Sequence, residues 1–312
     1  LVLMDKFLSL YYSQHEAKLC NKIVAIVSGM IFLVVLIIWV IRPVIISTYP
    51  VWIYSLFIFI PAFILCFFFI VKFNPEFKNI SQEEMKSFSS FSFVVLLTNI
   101  IQFVAFRADY WFLNFYYDNT AVGVYAQASK FAQLLWIIPG VLAGLIIPAL
   151  KNENEKLTES AFVSVCRILF YTHFFLSLLV ISVSLVIYTF FLPAIYFNGF
   201  LALLIMLPGY LLFTITTMLA AYFSANRLLK VNLIGSSLCC VFMLLLDLLL
   251  IPSLSYQGAA IANLVAYSIT SVYFIYRSIS FIKISFKDLL VIKRSDFNLF
   301  SARILKTDKS NT

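Results

Sequence analysis

Leu233–Ile251 reads LIGSSLCCVFMLLLDLLLI, and Asp247 is the one charged residue in it. A helix of about 20 apolar residues is long enough to cross the hydrocarbon core of a bilayer. The apolar residues run continuously and do not alternate, which argues against a strand. Lipid cannot satisfy free backbone N–H and C=O groups, so such a run must be helical.

Seven further runs of this kind occupy Ile23–Ile41, Val51–Val71, Phe91–Tyr117, Val122–Leu150, Phe162–Phe191, Phe200–Ala221 and Ala259–Tyr276. The 312-residue chain is 63% hydrophobic and only 12% charged, with a mean hydropathy of +1.01, and its charges collect between the runs. No stretch between them is long enough for a soluble domain. The pattern predicts an all-α, polytopic membrane protein with about eight transmembrane helices.

Lys and Arg set the orientation of such a chain. With the N-terminal segment taken as cytoplasmic, alternate connections (1–22, 72–90, 151–167, 222–231 and 277–312) hold every one of the 22 basic residues except Arg42, Arg107 and Lys130. Both ends of the chain are therefore expected in the cytoplasm. The net charge of +8 and pI near 9.2 follow from these dispersed edge residues. They face anionic lipid head groups and form no nucleic-acid patch. Asp5, Lys6, His15, Glu16 and Lys18 interrupt the first 22 residues, so no cleavable signal peptide is expected there. The five cysteines have no zinc-ligand spacing, and His15 and His173 are isolated. Neither a metal site nor a cofactor is expected.

Ionisable and polar groups inside spans mark candidate functional positions. Phe91–Tyr117 carries Thr98, Asn99, Gln102, Arg107 and Asp109. At helical spacing Thr98, Gln102 and Asp109 share a stripe with Asn99 at its edge, while Arg107 points the other way. Two readings stand: these groups line a hydrated cavity, or they sit at the interface with Arg107 reaching toward head groups. In Val122–Leu150, Tyr125, Ser129, Gln133, Gly140 and Gly144 share one face, with Lys130 beside it. Lys130 lies about 12 Å into the span at 1.5 Å per residue. It is read either as a cavity cation for an anionic substrate or as an internally paired lysine, with Asp109 as one partner. Gly140 and Gly144 also have the spacing of a close helix contact. Asp247 is read as a coupling site for a proton or sodium ion, or as a hydrogen-bonded structural acid. Pro139-Gly140, Pro208-Gly209 and Pro61 place helix breakers inside spans, and the first two pairs are candidate bending points.

An internal repeat is also visible. Phe7–Ser13 (FLSLYYS) aligns with Met218–Ser224 (MLAAYFS) at an offset of 211, which also pairs Asn21 with Asn232 and lays the first two spans over the last two. Duplicated helical bundles are characteristic of transporters. The implied organisation is residues 1–90 as the end of an N-terminal helical lobe with its linker, 91–282 as a six-helix lobe, and 283–312 as a basic cytoplasmic tail.

Arg107-Ala-Asp109, Val122-Gly-Val-Tyr-Ala-Gln-Ala128, Pro139 and Pro148 resemble the middle of a polysaccharide flippase. Leu207-Pro-Gly-Tyr210, Ala225-Asn-Arg227, Leu250-Ile-Pro252 and Gly258-Ala-Ala-Ile-Ala262 resemble its closing part. The family is the Wzx-type O-antigen flippases of the multidrug/oligosaccharidyl-lipid/polysaccharide exporter superfamily. The resemblance implies a two-lobed, twelve-helix carrier in the bacterial inner membrane, with this chain starting near the end of helix four. It implies a lipopolysaccharide or capsule pathway in which undecaprenyl-pyrophosphate-linked oligosaccharide is moved between leaflets without enzymatic chemistry. Membrane lipids and a polysaccharide polymerase or chain-length machinery are the implied partners. Phosphate contacts are expected from Lys130 and Arg107, and sugar contacts from Gln102, Asn99 and Gln133. Asp247 stands where such proteins often carry a neutral polar residue.

Rival readings remain within reach of the same composition. A drug exporter or a lipid II flippase would share the architecture. A membrane polysaccharide polymerase would be expected to show a large external loop, whereas the outer connections here are short. A non-transporting membrane scaffold is the fourth reading.

Overall fold

The apolar runs fold as helices whose polar stripes turn inward and whose apolar faces stay bare. In the computed structural model this is described for residues 11, 17–41, 50–73, 81–150, 158–282 and 291. No strand occurs among the described residues. The helices are α1 (Ala17–Ile41), α2 (Pro50–Phe73), α3 (Gln82–Ala105), α4 (Ala108–Tyr116), α5 (Asn119–Gln133), α6 (Ile137–Ala149), α7 (Glu159–Phe190), α8 (Asn198–Ala225) and α9 (Leu229–Ile282). Six helical segments are long and apolar enough to cross a membrane, and within α2 the apolar segment Phe59–Phe73 is shorter.

The inside-out pattern is plain on α7. His173, Ser177, Ser184 and Tyr188 are buried, while Phe175, Leu179, Val183 and Val186 are exposed. A bare face of this kind suits hydrocarbon and would drive aggregation in water. Ser177 and Ser184 donate to the carbonyls of Phe174 and Ile181, so their hydroxyls are satisfied within the helix.

The chain divides into two units, residues 1–81 and 82–312. In the first unit Tyr11, Cys20 and Leu65 form a small buried cluster with Ile23, Phe69 and Phe73 around it. The start of α1 therefore lies against the end of α2, and the two run antiparallel. Tyr11 donates to the carbonyl of Leu65 at 3.1 Å.

In the second unit α3 begins at Gln82, inside the connection assigned from sequence to 72–90. Of the basic tail expected at 283–312, only Val291 lies among the described residues. Two caps start helices cleanly. Asp118 accepts from Ala121 N–H at 2.9 Å, and Thr158 accepts the corresponding bond from Ala161. The Ala121 N–H holds the exposed Asp118 carboxyl below its ordinary value. A lowered folded value stabilises at pH above the usual carboxylate range, and that contribution is lost as pH falls through the lowered value.

α9 is 54 residues long but holds a non-helical residue, Ser255, at φ 53°. It folds back there. An ideal Cβ on Gly235 would meet the ring of Phe274, and one on Gly258 would meet the backbone of Leu250. Positions at nearly matching separations on either side of Ser255 thus touch, which defines an antiparallel helical hairpin. Its arms correspond to the last two apolar runs of the sequence, and the α1–α2 pair related by the 211-residue offset is antiparallel as well.

The connections segregate to two ends of this unit. At one end Tyr117 donates to the carbonyl of Pro252 at 3.0 Å, and Gly123 and Gly199 lie against Tyr196 and Val124. At the other, Tyr222 donates to Glu159 at 3.1 Å and the ring of Phe223 lies 5.8 Å from that of Phe281. α3–α4, α5–α6, α7, α8 and the two arms of α9 therefore cross in alternation. The α8–α9 turn is closed by Arg227 at φ 58°, with Leu228 N–H bonded to the Phe223 carbonyl at 2.8 Å.

Two outcomes follow from this geometry. Gly258→Ala places a methyl 2.5 Å from the Leu250 carbonyl oxygen, where backbone must move. It should lower stability by about 1–3 kcal/mol, read as a drop in melting temperature of the purified protein. Reporters inserted at 118–119 and at 226–227 should report opposite sides of the membrane, and the same side for both would break the alternation.

Candidate functional site

α3 and α4 would form one long helix from the sequence, but Phe106 and Arg107 interrupt it. Arg107 has φ −125°, and its N–H bonds to Val104 at 3.1 Å in place of the carbonyl one residue earlier. The break rotates α4 relative to α3. Thr98, Asn99 and Gln102 face a cavity, while Asp109, expected on the same stripe, turns toward α5 and α9.

Asp109 is 3% exposed. Its Oδ1 accepts from Tyr110 N–H at 2.8 Å. Its Oδ2 accepts from the Tyr125 hydroxyl and from Asn263 Nδ2, the latter at 3.2 Å. The second hydrogen of the Asn263 amide is shared between the Tyr125 hydroxyl and the carbonyl of Ala259. One carboxylate thus ties α4, α5 and the second arm of α9 together. In an apolar interior such a network is strong when complete, because each polar group would otherwise be unpaired.

An aromatic cluster lies between this network and the cavity. Trp136, in the 3-10 segment between α5 and α6, stacks on Tyr210 at 4.7 Å and lies 4.9 Å from Phe106. Phe213 and Tyr267 sit 4.8 Å apart beside them. Asp247, on the first arm of α9, is 0% exposed, and neither carboxylate oxygen has a hydrogen-bond partner.

The cavity has a volume of about 310 Å³. α3 lines it with Thr98, Asn99 and Gln102, and α6 with Ala143, Gly144 and Ile147. α8 contributes Phe213, Thr216, Thr217 and Ser224. The arms of α9 contribute Asn232 and Ser236 from one side and Thr270 and Phe274 from the other. Among the described residues the lining includes no carboxylate, amine, guanidinium or imidazole. A second cleft of about 520 Å³, lined by Glu84, Phe88, Phe91 and Arg227, shares Ile147 and Ser224 with the first. It lies at the end of the unit where α8 turns into α9.

The residues singled out from sequence fall in three places. Asn99 and Gln102 line the cavity. Asp109 is held in the buried network. Arg107 and Lys130 are exposed outside the cavity. The Arg107 guanidinium lies 5.6 Å from the Tyr110 ring centre, and Lys130 Nζ donates to Gln133 Oε1 at 3.0 Å. Gln133 in turn donates to Ser129 at 3.1 Å, so the pairing of Lys130 runs along its own helix and not to Asp109.

Among the helix breakers, Pro139 is buried in the first turn of α6, where a missing N–H is harmless, and Gly140 faces open space. α8 is helical through Pro208. A Cβ on Gly209 would come within 2.9 Å of Leu264 Cα, so this glycine permits close packing of α8 on α9.

Asn263, Asn232, Thr216 and Ser236 were not marked by sequence. Their signal is an amide or hydroxyl inside an apolar run, which becomes specific only once partners across helices are known. No group of three or more His, Cys, Asp or Glu among the described residues is placed to hold a metal ion.

Residues 1–153 match the family model described as Polysaccharide biosynthesis protein. No curated protein and no solved structure matches the chain.

Removing the phenol hydroxyl leaves the Asp109 and Asn263 groups short of a buried partner. Tyr125→Phe should therefore destabilise by about 1–3 kcal/mol. Combined with Asn263→Ala it should be less than additive, because both remove the same network. Thermal unfolding of the two single variants and the double variant measures this.

Proposed function

We propose that the chain is part of a flippase of the Wzx type, which carries an undecaprenyl-pyrophosphate-linked oligosaccharide across the bacterial inner membrane for O-antigen, capsule or other surface polysaccharide. The observation that carries this reading is a cavity with amide and hydroxyl groups set in a mainly apolar lining between membrane-length helices, in a chain similar over residues 1–153 to a polysaccharide biosynthesis family.

The physics of the cargo fits. A sugar pyrophosphate is polar and anionic, and passage through bare hydrocarbon would strip its water at great cost. Hydrogen-bonding side chains inside the bundle offset that loss for the glycan. Arg107 and Lys130, exposed cations on the helices that build this unit, pair with the pyrophosphate. Asn99, Gln102 and Gln133 meet sugar hydroxyls. Asp109 acts on the same surface by positioning, since it fixes the helix that presents Arg107 against the helix that presents Lys130. Pro139-Gly140 and Pro208-Gly209 are the candidate bending points between inward- and outward-facing forms. Such alternation needs only ligand-dependent differences in stability and no covalent step. Both ends of the chain are placed in the cytoplasm on the charge pattern, with a polysaccharide polymerase and its chain-length partner acting on the delivered units.

The test is complementation. The complete gene should restore surface polysaccharide in a strain lacking its flippase, and a strain left bare despite normal protein levels would count against the assignment. Arg107→Ala together with Lys130→Ala should cut polymer output about tenfold or more, the scale for losing charge-assisted hydrogen bonds.

A further inference from the structure

The hydrogen-bonding balance of the cavity is lopsided. Four of its hydroxyls already donate within the protein. Thr98 bonds to the Val94 carbonyl at 2.7 Å, Thr217 to Phe213 at 3.1 Å, Thr270 to Ala266 at 2.8 Å, and Thr216 to Ser271 Oγ at 2.8 Å. A hydroxyl whose proton is engaged in this way has lone pairs left to offer.

Asn232 adds an acceptor. Its Nδ2 donates to the Ala220 carbonyl at 3.0 Å and to Ser224 Oγ at 2.8 Å. The residue is 9% exposed, and its Oδ1 is buried with no hydrogen-bond partner. An unpaired acceptor beside a cavity is relieved by a ligand that brings a donor. Ligand-directed donors come from the amides of Asn99 and Gln102 on α3, with the hydroxyls of Ser224 and Ser236 opposite them.

Phosphate fits this lining poorly. It accepts hydrogen bonds and is held best by charged donors, and the described lining offers it no cation. A sugar ring fits well. Its hydroxyls donate to the lone pairs of that lining, and its C–H face suits the rings of Phe213 and Phe274 beside them. The volume of about 310 Å³ is at the small end of ligand pockets, roughly 300–1,000 Å³, so it suits a single ring and not a whole repeat unit. The second cleft shares Ile147 and Ser224 with this cavity and lies toward the end of the unit.

We propose that the cavity between α3, α6, α8 and α9 is a binding site for one uncharged, polyhydroxylated ring of the lipid-borne glycan, and that it discriminates against the phosphate part of the same molecule. This rests on the flippase reading above and divides its cargo between two places: the ring within the bundle, and the pyrophosphate at the exposed cations.

Cys239 lines the cavity but is buried, so the half-buried lining position Ala143 on α6 carries the reporter thiol. In the full chain, reconstituted in lipid nanodiscs with the five native cysteines replaced by Ala and with Ala143→Cys, the rate of modification of that thiol by a methanethiosulfonate is measured. Hexyl glucoside should slow it saturably, while hexyl phosphate of the same chain length should not. Asn99→Leu and Gln102→Leu remove donors on α3 and should each weaken that protection about fivefold or more, whereas Thr189→Val on the bare face of α7 should not. Equal protection by hexyl phosphate, or protection by neither probe, would overturn the proposal. Protection by free glucose as strong as by the glucoside would assign the site to a soluble sugar and end the lipid-borne version. The flippase reading has its own readout: if the unaltered gene restores surface polysaccharide while Asn99→Leu and Gln102→Leu at normal protein levels do so equally well, the ring site falls and the transport function stands.

Discussion

A carboxylate shared by a phenol and an amide sets the level at which three helices meet. Asp109, Tyr125 and Asn263 belong to α4, α5 and α9, and each satisfies the others in surroundings that offer no water. An apolar bundle alone has little to define register, because sliding one greasy face over another changes its energy only slightly. A polar network that is complete in only one arrangement supplies that definition. With α4 fixed in this way, the break at Phe106–Arg107 follows, and the polar stripe of α3 is left facing the cavity.

Beyond that level the unit separates two kinds of polarity. The buried network and the aromatic cluster of Phe106, Trp136, Tyr210, Phe213 and Tyr267 fill one part of the bundle. The hydroxyl- and amide-lined cavity fills the other. Arg107 and Lys130 lie outside both, on the surface, while Arg167 on α7 is a buried cation. On the proposed flippase reading, the neutral glycan and the charged head of the cargo would meet different environments at these separate places.

Much of this was legible in the residues themselves. Continuous apolar runs predict helices because lipid leaves the backbone no other partner, and the runs at Leu233–Ile251 and Ala259–Tyr276 locate the two arms of the α9 hairpin. Thr98, Asn99 and Gln102 were readable as one stripe from their spacing, but spacing alone left a cavity and the membrane interface both open. Asp109 was not separable from them, because the break at Phe106–Arg107 contains neither proline nor glycine and is imposed by contacts with other helices. The pairing of Lys130 with Gln133 obeys simple i, i+3 spacing. The role of Asn263 depends on residues 154 and 138 positions away, a separation that local pattern does not encode. Arg107 and Lys130, for which the sequence left cavity and interface or paired readings open, lie on the surface of this unit, outside its neutral cavity.

The hairpin in α9 limits how the bundle can breathe. Its two arms are locked by the turn at Ser255, by the tight approach of Gly258 to Leu250 and by the contact of Gly235 with Phe274. Both arms contribute wall to the cavity, and Gly209 seats α8 closely against the second of them. These three stretches therefore make a tightly packed wall. On the opposite side α3 ends at the non-helical step before α4, so it can swing while the anchored end beyond that step stays still.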